Sequence, residues 1–123
     1  EKRKFTGKEK AAIRDAYLNQ AVYWLENREP DAKRIMHEVT FICENKFIKK
    51  DSFEELTEMY VSKLYEVGDQ KFWNYYTDAV FQNSVGNKKK AETLMLKAID
   101  DIQRSDPSNF RTLHWFRTKL AYL

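Results

Sequence analysis

Three glycines and two prolines are all the strong chain breakers in this sequence, and that scarcity limits what it can fold into. A β-sandwich or barrel needs tight turns at short intervals, usually built on Gly or Pro. Between the breakers, apolar residues recur at three- and four-residue steps, the period of one helix face. The expectation is an all-α fold of about six antiparallel helices in three helical hairpins, as an array or a compact bundle. With 123 residues the chain fits a single domain, residues 1–123. A start at Glu1 rather than Met fits a piece of a longer chain.

Thr6-Gly7-Lys8-Glu9 has the form of a capping box, in which the Thr side chain and the Glu side chain each satisfy an orphan backbone N–H. The helix it opens carries Ile13, Ala16, Tyr17, Ala21, Trp24 and Leu25 on one face, widened by Leu18 and Val22. Asn27-Arg28-Glu29-Pro30 ends it, and Pro30 suits the first position of the next helix. That second helix is expected over about residues 30–47, with Ile35, Val39 and Ile42 in one stripe and Met36, Cys43 and Phe47 in another, so that neighbours sandwich it. Phe41-Ile42-Cys43 is β-prone, but no turn signal or partner strand follows.

Ser52-Phe53-Glu54-Glu55 repeats the capping-box pattern, and the third helix carries Phe53, Leu56, Tyr60, Leu64 and Val67, with Gly68 as a left-handed stop. Asp69 is the expected cap of a fourth helix ending near Gly86, and Asn87 that of a fifth with Ala91, Leu94, Met95, Ala98, Ile99 and Ile102. Ser105-Asp106-Pro107 restarts the chain into a sixth, with Phe110, Leu113, Leu120 and Ala121. The fourth helix stands apart. Residues 72–81 hold Phe72, Trp73, Tyr75, Tyr76 and Phe81 with almost no charge, as expected of the helix on which the others pack. Trp73, Tyr76 and Val80 make its core stripe, and Tyr75 lies off it, positioned to face a partner.

The third and fifth helices begin about 34 residues apart, a helical-hairpin repeat length. At an offset of about 77 residues, Tyr17-Leu18 aligns with Leu94-Met95, Glu29-Pro30 with Asp106-Pro107, and Arg34-Ile35-Met36-His37 with Arg111-Thr112-Leu113-His114. Three hairpins of this kind resemble tetratricopeptide (TPR) repeats, with Leu56, Met59, Tyr76 and Ala79 at core positions of that pattern; Tyr60 and Lys63 depart from it. The spacing of Trp73, Tyr76, Val80-Phe81 and Asn83, preceded by Leu64-Tyr65-Glu66-Val67, also resembles the peptide-sensing C-terminal domain of Rgg/MutR-type transcription regulators, with Thr77 where that family has Glu. The resemblance implies a helical domain that holds a peptide on a concave surface and dimerises.

Charge and chemistry narrow the function classes. Lys and Arg number 22 against 19 Asp and Glu, which describes a mixed solvated surface rather than a strong polyanion binder. The single Cys43 excludes an internal disulfide framework and suits a reducing, cytoplasmic or otherwise intracellular setting. No apolar run approaches the roughly 20 residues of a membrane span. Two His and one Cys fall short of a structural zinc set, and no Gly-rich phosphate loop is present, so no metal or cofactor is expected. Arg34 with His37, and Arg111 with His114, share helix faces and form a possible-anion-clamp pattern; the plainer reading, a boundary His beside a solvated Arg, is preferred. Glu54, Glu55 and Glu58 fall at ordinary cap and surface positions.

Arg111, Trp115 and Lys119 form a basic-aromatic-basic line on the last helix, ahead of an apolar tail that includes Tyr122. With no catalytic constellation, the reading is a non-enzymatic protein- or peptide-interaction module, regulatory and self-associating as a homo-oligomer. Its expected partner-binding residues are Tyr75, Arg111, Trp115, Lys119 and Tyr122. The alternative, from another class, is a nucleic-acid-associated domain that stacks bases on Trp115 and neutralises phosphates with Arg111 and Lys119.

Overall fold

A computed structural model of the chain describes residues 4–28 and 30–123. Among them are six α-helices and no strand: α1 Gly7–Asn27, α2 Ala32–Glu44, α3 Phe53–Val67, α4 Lys71–Ser84, α5 Lys88–Ser105 and α6 Phe110–Ala121, with a 3-10 turn at Phe47–Lys49 after α2. The all-α expectation holds, and the β-prone Phe41-Ile42-Cys43 is helical.

Two apolar clusters divide the interior. The first joins α1, α2, the 3-10 turn and α3 around Ile35, Val39, Ile42, Leu56 and Leu64. The second joins α5 and α6 to the start of α4 around Phe72, Ala91, Met95, Ile102 and Phe116. Helix α4 belongs to both, giving Phe81 and Val80 to the first and Phe72 and Ala79 to the second. That is why the aromatic stretch is so poor in charge: both sides of this helix are covered. Its partners are α2, α3 and, most extensively, α5, while α1 packs on α3 and α6 on α5. Residues 15–22 of α1 run beside 52–59 of α3, and residues 25–26 beside 58–66, so these two helices are parallel.

Local chemistry explains most boundaries and corrects several expectations. The Thr6 box forms on both sides, Glu9 N–H donating to Thr6 Oγ1 at 3.1 Å and Thr6 N–H to Glu9 Oε1 at 3.1 Å. The Ser52 box does not form: Ser52 sits at φ 64°, outside the extended geometry that aims a cap side chain at the first turn. Helix α2 starts at Ala32 rather than Pro30, because Asp31 accepts from Lys33 N–H at 2.9 Å; of the stop sequence 27–30, Glu29 lies outside the described residues. It ends at Glu44, where Lys46 at φ 59° breaks the run before Phe47.

Gly68 is not left-handed (φ −78°); glycine is needed there because a Cβ would lie 2.2 Å from Asn74 Oδ1 and 2.8 Å from Leu64 O. Gly86, at φ +92°, is the position that needs glycine for its conformation. Asp69 is not the cap of α4; Gln70 occupies that place without a side-chain bond. Asn87 holds the cap position of α5, but its amide is turned back to donate to Gln82 Oε1 at 2.9 Å.

Two faces are narrower than their periodicity. On α1 only Ala21 and Leu25 are buried; Ile13, which precedes the stretch beside α3, is 52% exposed, and Ala16 is exposed too. On α6 the core residue is Phe116; Phe110, 72% exposed, and Ala121 point away from it.

Candidate functional site

The outer face of α6 is fixed by what its inner face does. Phe116 is fully buried against three rings of α4: Tyr76 stacks on it at 5.0 Å between centroids, Trp73 meets it edge-on at 5.3 Å, and Phe72 at 6.2 Å. Trp73 and Tyr76, expected in the core, are half-buried; they wall the Phe116 site with one edge toward solvent, as Val80 walls the first cluster. With Phe116 inward, helical geometry sends residues 111, 115, 118 and 122 outward on one stripe, since steps of four and three return to the same side.

Trp115 anchors that stripe. Its Nε1–H donates to Tyr76 Oη at 3.0 Å, and Lys119 Nζ stands 4.7 Å from the ring centroid. The ring is held at an edge and over a face, yet is 48% exposed; Tyr122, one stripe position beyond Thr118, is 85% exposed. Arg111 and Lys119 are exposed beside them. Burial pushes the Tyr76 phenol up against the opposing effect of the Trp115 bond, so it stays protonated at neutral pH. Helix α6 carries Arg111, Arg117 and Lys119 and no acidic residue. Beneath Lys119 and Leu123 lies a cleft of about 170 Å³ that reaches Cys43 and Ser84. Burial pushes the Cys43 thiol up, which keeps it a poor nucleophile.

The remaining expected residues are dispersed. Tyr75 is half-buried on α4, its ring 6.3 Å from that of Tyr65, and lines a separate polar groove with Lys97 and Arg104 of α5. Arg34 lies over the Trp24 ring at 5.0 Å, and His37 and His114 are exposed on different helices. The two Arg–His pairs of the anion-clamp pattern thus lie on separate helices, α2 and α6, and Arg34 is engaged with an aromatic face.

Two polar features escaped the sequence reading. In α4, Asp78 is buried and accepts from Tyr65 Oη–H at 2.6 Å and Gln82 Nε2–H at 3.1 Å; Gln82 in turn accepts from Asn87. Burial, then the hydrogen bond to Asp78, pushes the Tyr65 phenol up. The i, i+4 pair Asp78 and Gln82 inside an aromatic helix was the available signal. A second buried-edge contact joins α1 to α2, where Tyr17 donates to Glu38 Oε2 at 2.6 Å. Among the described residues no three His, Cys, Asp or Glu side chains come together as a metal-binding group, and no helix is long and apolar enough to cross a membrane. Comparison of the chain with family models, with curated proteins and with solved structures gives no match.

Proposed function

We propose that this chain is a non-enzymatic protein- or peptide-interaction module of regulatory type, acting inside the cell, and that the outer face of α6 is its contact surface. One observation carries the reading: Trp115 and Tyr122 stand 48% and 85% exposed on one stripe of α6, whose other side packs on the core through buried Phe116 and partly buried Leu113 and Leu120. Large aromatics are the residues that most often dominate protein interfaces. Trp115 is also held in place before any partner arrives, so little side-chain freedom is lost on binding. The likeness to the peptide-sensing Rgg/MutR domain bears on the scaffold, since Trp73, Tyr76 and Phe81 are packing residues.

The test places a photo-crosslinking residue at Thr118 in the native cell. Its adducts are compared between the parent chain, Trp115→Ala/Tyr122→Ala, and a Tyr23→Ala control on exposed α1. Adducts that survive in the control and vanish in the double variant support the reading; an unchanged set in all three refutes it.

A nucleic-acid-associated role is the second reading, favoured by the absence of acid on α6. It ranks lower because Lys119 occupies a ring face of Trp115 on which a base would stack. Binding to single-stranded nucleic acid that weakens steeply with salt, and less steeply after Lys119→Glu, is its expected signature.

A further inference from the structure

The α1/α3 face is the chemical counterpart of α6. Parallel packing of these helices leaves a groove in two adjoining stretches of about 390 and 470 Å³ that share Glu55 and Met59. Its floor is apolar, made by Leu18, Val22 and Met59, all half-exposed. Its rim is acidic: Glu26, Glu55 and Glu58 are exposed and make no ion pair among the described residues, whereas Glu66 is paired with Lys63 at 3.6 Å. Charge is thus segregated in a chain of nearly balanced composition. Helix α3 has four glutamates against Lys63, and α6 has three cationic side chains and no acid.

We infer that the groove between α1 and α3 receives α6 of a second copy of this chain, giving head-to-tail self-association. This rests on the reading of α6 as a contact surface and names its partner. Three features fit. The acidic rim complements Arg111, Arg117 and Lys119. The apolar floor takes Trp115 and Tyr122, which otherwise stay in water. The lengths agree: residues 15–26 of α1 and 52–66 of α3 span about 17 and 21 Å, and the twelve residues of α6 about 17 Å, at about 1.5 Å per residue step. Groove and helix belong to different apolar clusters, so neither covers the other within one copy. Because the two surfaces differ, the contact is heterologous, and a dimer keeps one free donor face on one copy and one free acceptor face on the other.

The experiment uses sedimentation velocity on two variants, each checked for unchanged helicity by circular dichroism. Glu55→Lys/Glu58→Lys disables the groove and leaves α6 intact; Trp115→Ala/Tyr122→Ala disables α6 and leaves the groove. The parent chain is expected to form species that grow with concentration in low salt and shrink in high salt. Each variant alone is expected to remain monomeric. Their equimolar mixture is expected to form dimers and nothing larger, since only one productive contact exists between them.

A parent chain that stays monomeric at all concentrations overturns the inference. So does a mixture that stays monomeric, and so does a groove variant that still dimerises, which would mean α6 pairs with α6. In each of these cases the crosslinking result at Thr118 stands by itself, so failure of the groove is distinguishable from failure of the α6 surface.

Discussion

Truncating Phe116 should release α6 without unfolding the rest. Phe116 is the one buried residue of α6, and the other apolar contacts of that helix, Leu113, Leu120 and Leu123, are partial. Phe116→Ala removes the ring that Tyr76, Trp73 and Phe72 enclose, a change that costs about 3–5 kcal/mol in a well-packed site. The lost aromatic pairings are already inside that range. A loss of this size approaches the whole stability of a terminal element, while the first cluster, which contains no α6 residue, is untouched. Native-state hydrogen exchange is the appropriate assay because it resolves local from global opening. At about 1.4 kcal/mol per tenfold change, amides in the second half of α6 should exchange on the order of 100-fold faster or more. Amides around Ile35, Val39 and Leu64 should keep their protection. If α6 amides change less than about tenfold, or if all helices lose protection together, the account of α6 as a peripheral element pinned by one ring is wrong.

Other outcomes follow from named contacts. Asp78→Leu strands the Tyr65 hydroxyl and the Gln82 amide and should cost about 2–3 kcal/mol, read from urea unfolding; Asp78→Asn, which keeps an acceptor, should cost less. Gly68→Ala drives a methyl into Asn74 Oδ1 and Leu64 O, and the second is helix backbone that cannot step aside, so a loss of about 1–3 kcal/mol is expected in the same melt. In alkali, Tyr60 is pushed up to about 12, first by burial and then by the Glu38 charge. The unfolded chain therefore releases this proton at lower pH than the folded one. The Tyr60 contribution is complete below about pH 10 and is lost as pH rises toward 12. Tyr60→Phe should flatten that part of the pH–stability curve, and an unchanged slope would remove the assignment.

Sequence periodicity was most informative where a helix is enclosed. The α2 stripe Ile35, Val39, Ile42 and the α5 stripe Ala91, Met95, Ala98, Ile102 are buried as their spacing requires, because neighbours cover the full length of both helices. It misled at the ends of the chain. Ile13 and Phe110 continue an apolar period where, among the described residues, no element covers them, and only tertiary placement reveals where coverage stops. Cap chemistry was legible at Thr6 and not at Ser52, since the same residue pattern caps a helix only if the backbone enters in an extended conformation. For the candidate surface, the Arg111–Trp115–Lys119 line was readable from a four-residue step. The hydrogen bond from Trp115 to Tyr76 was not, because it joins residues 39 apart in the chain. The α1/α3 groove was hidden for a related reason: Glu26 and Glu55 are unremarkable on their own helices and become a rim only when α1 and α3 lie parallel.

The sharing of α4 between the two clusters sets a lower limit on how this chain can be dissected. A fragment ending after α3 lacks Phe81, and with it part of the cover of the first cluster. A fragment beginning at α5 lacks Phe72 and Ala79, together with the rings that close over Phe116. Either cut leaves a face of residues with no partner. The two halves are thus interdependent in synthesis as well as in the finished fold: α1 to α3 can gather early on a growing chain, but their interior closes only once α4 has emerged. A split version of the protein would reassemble only if one of its pieces carried α4 whole and the other supplied the cluster that lies across the cut.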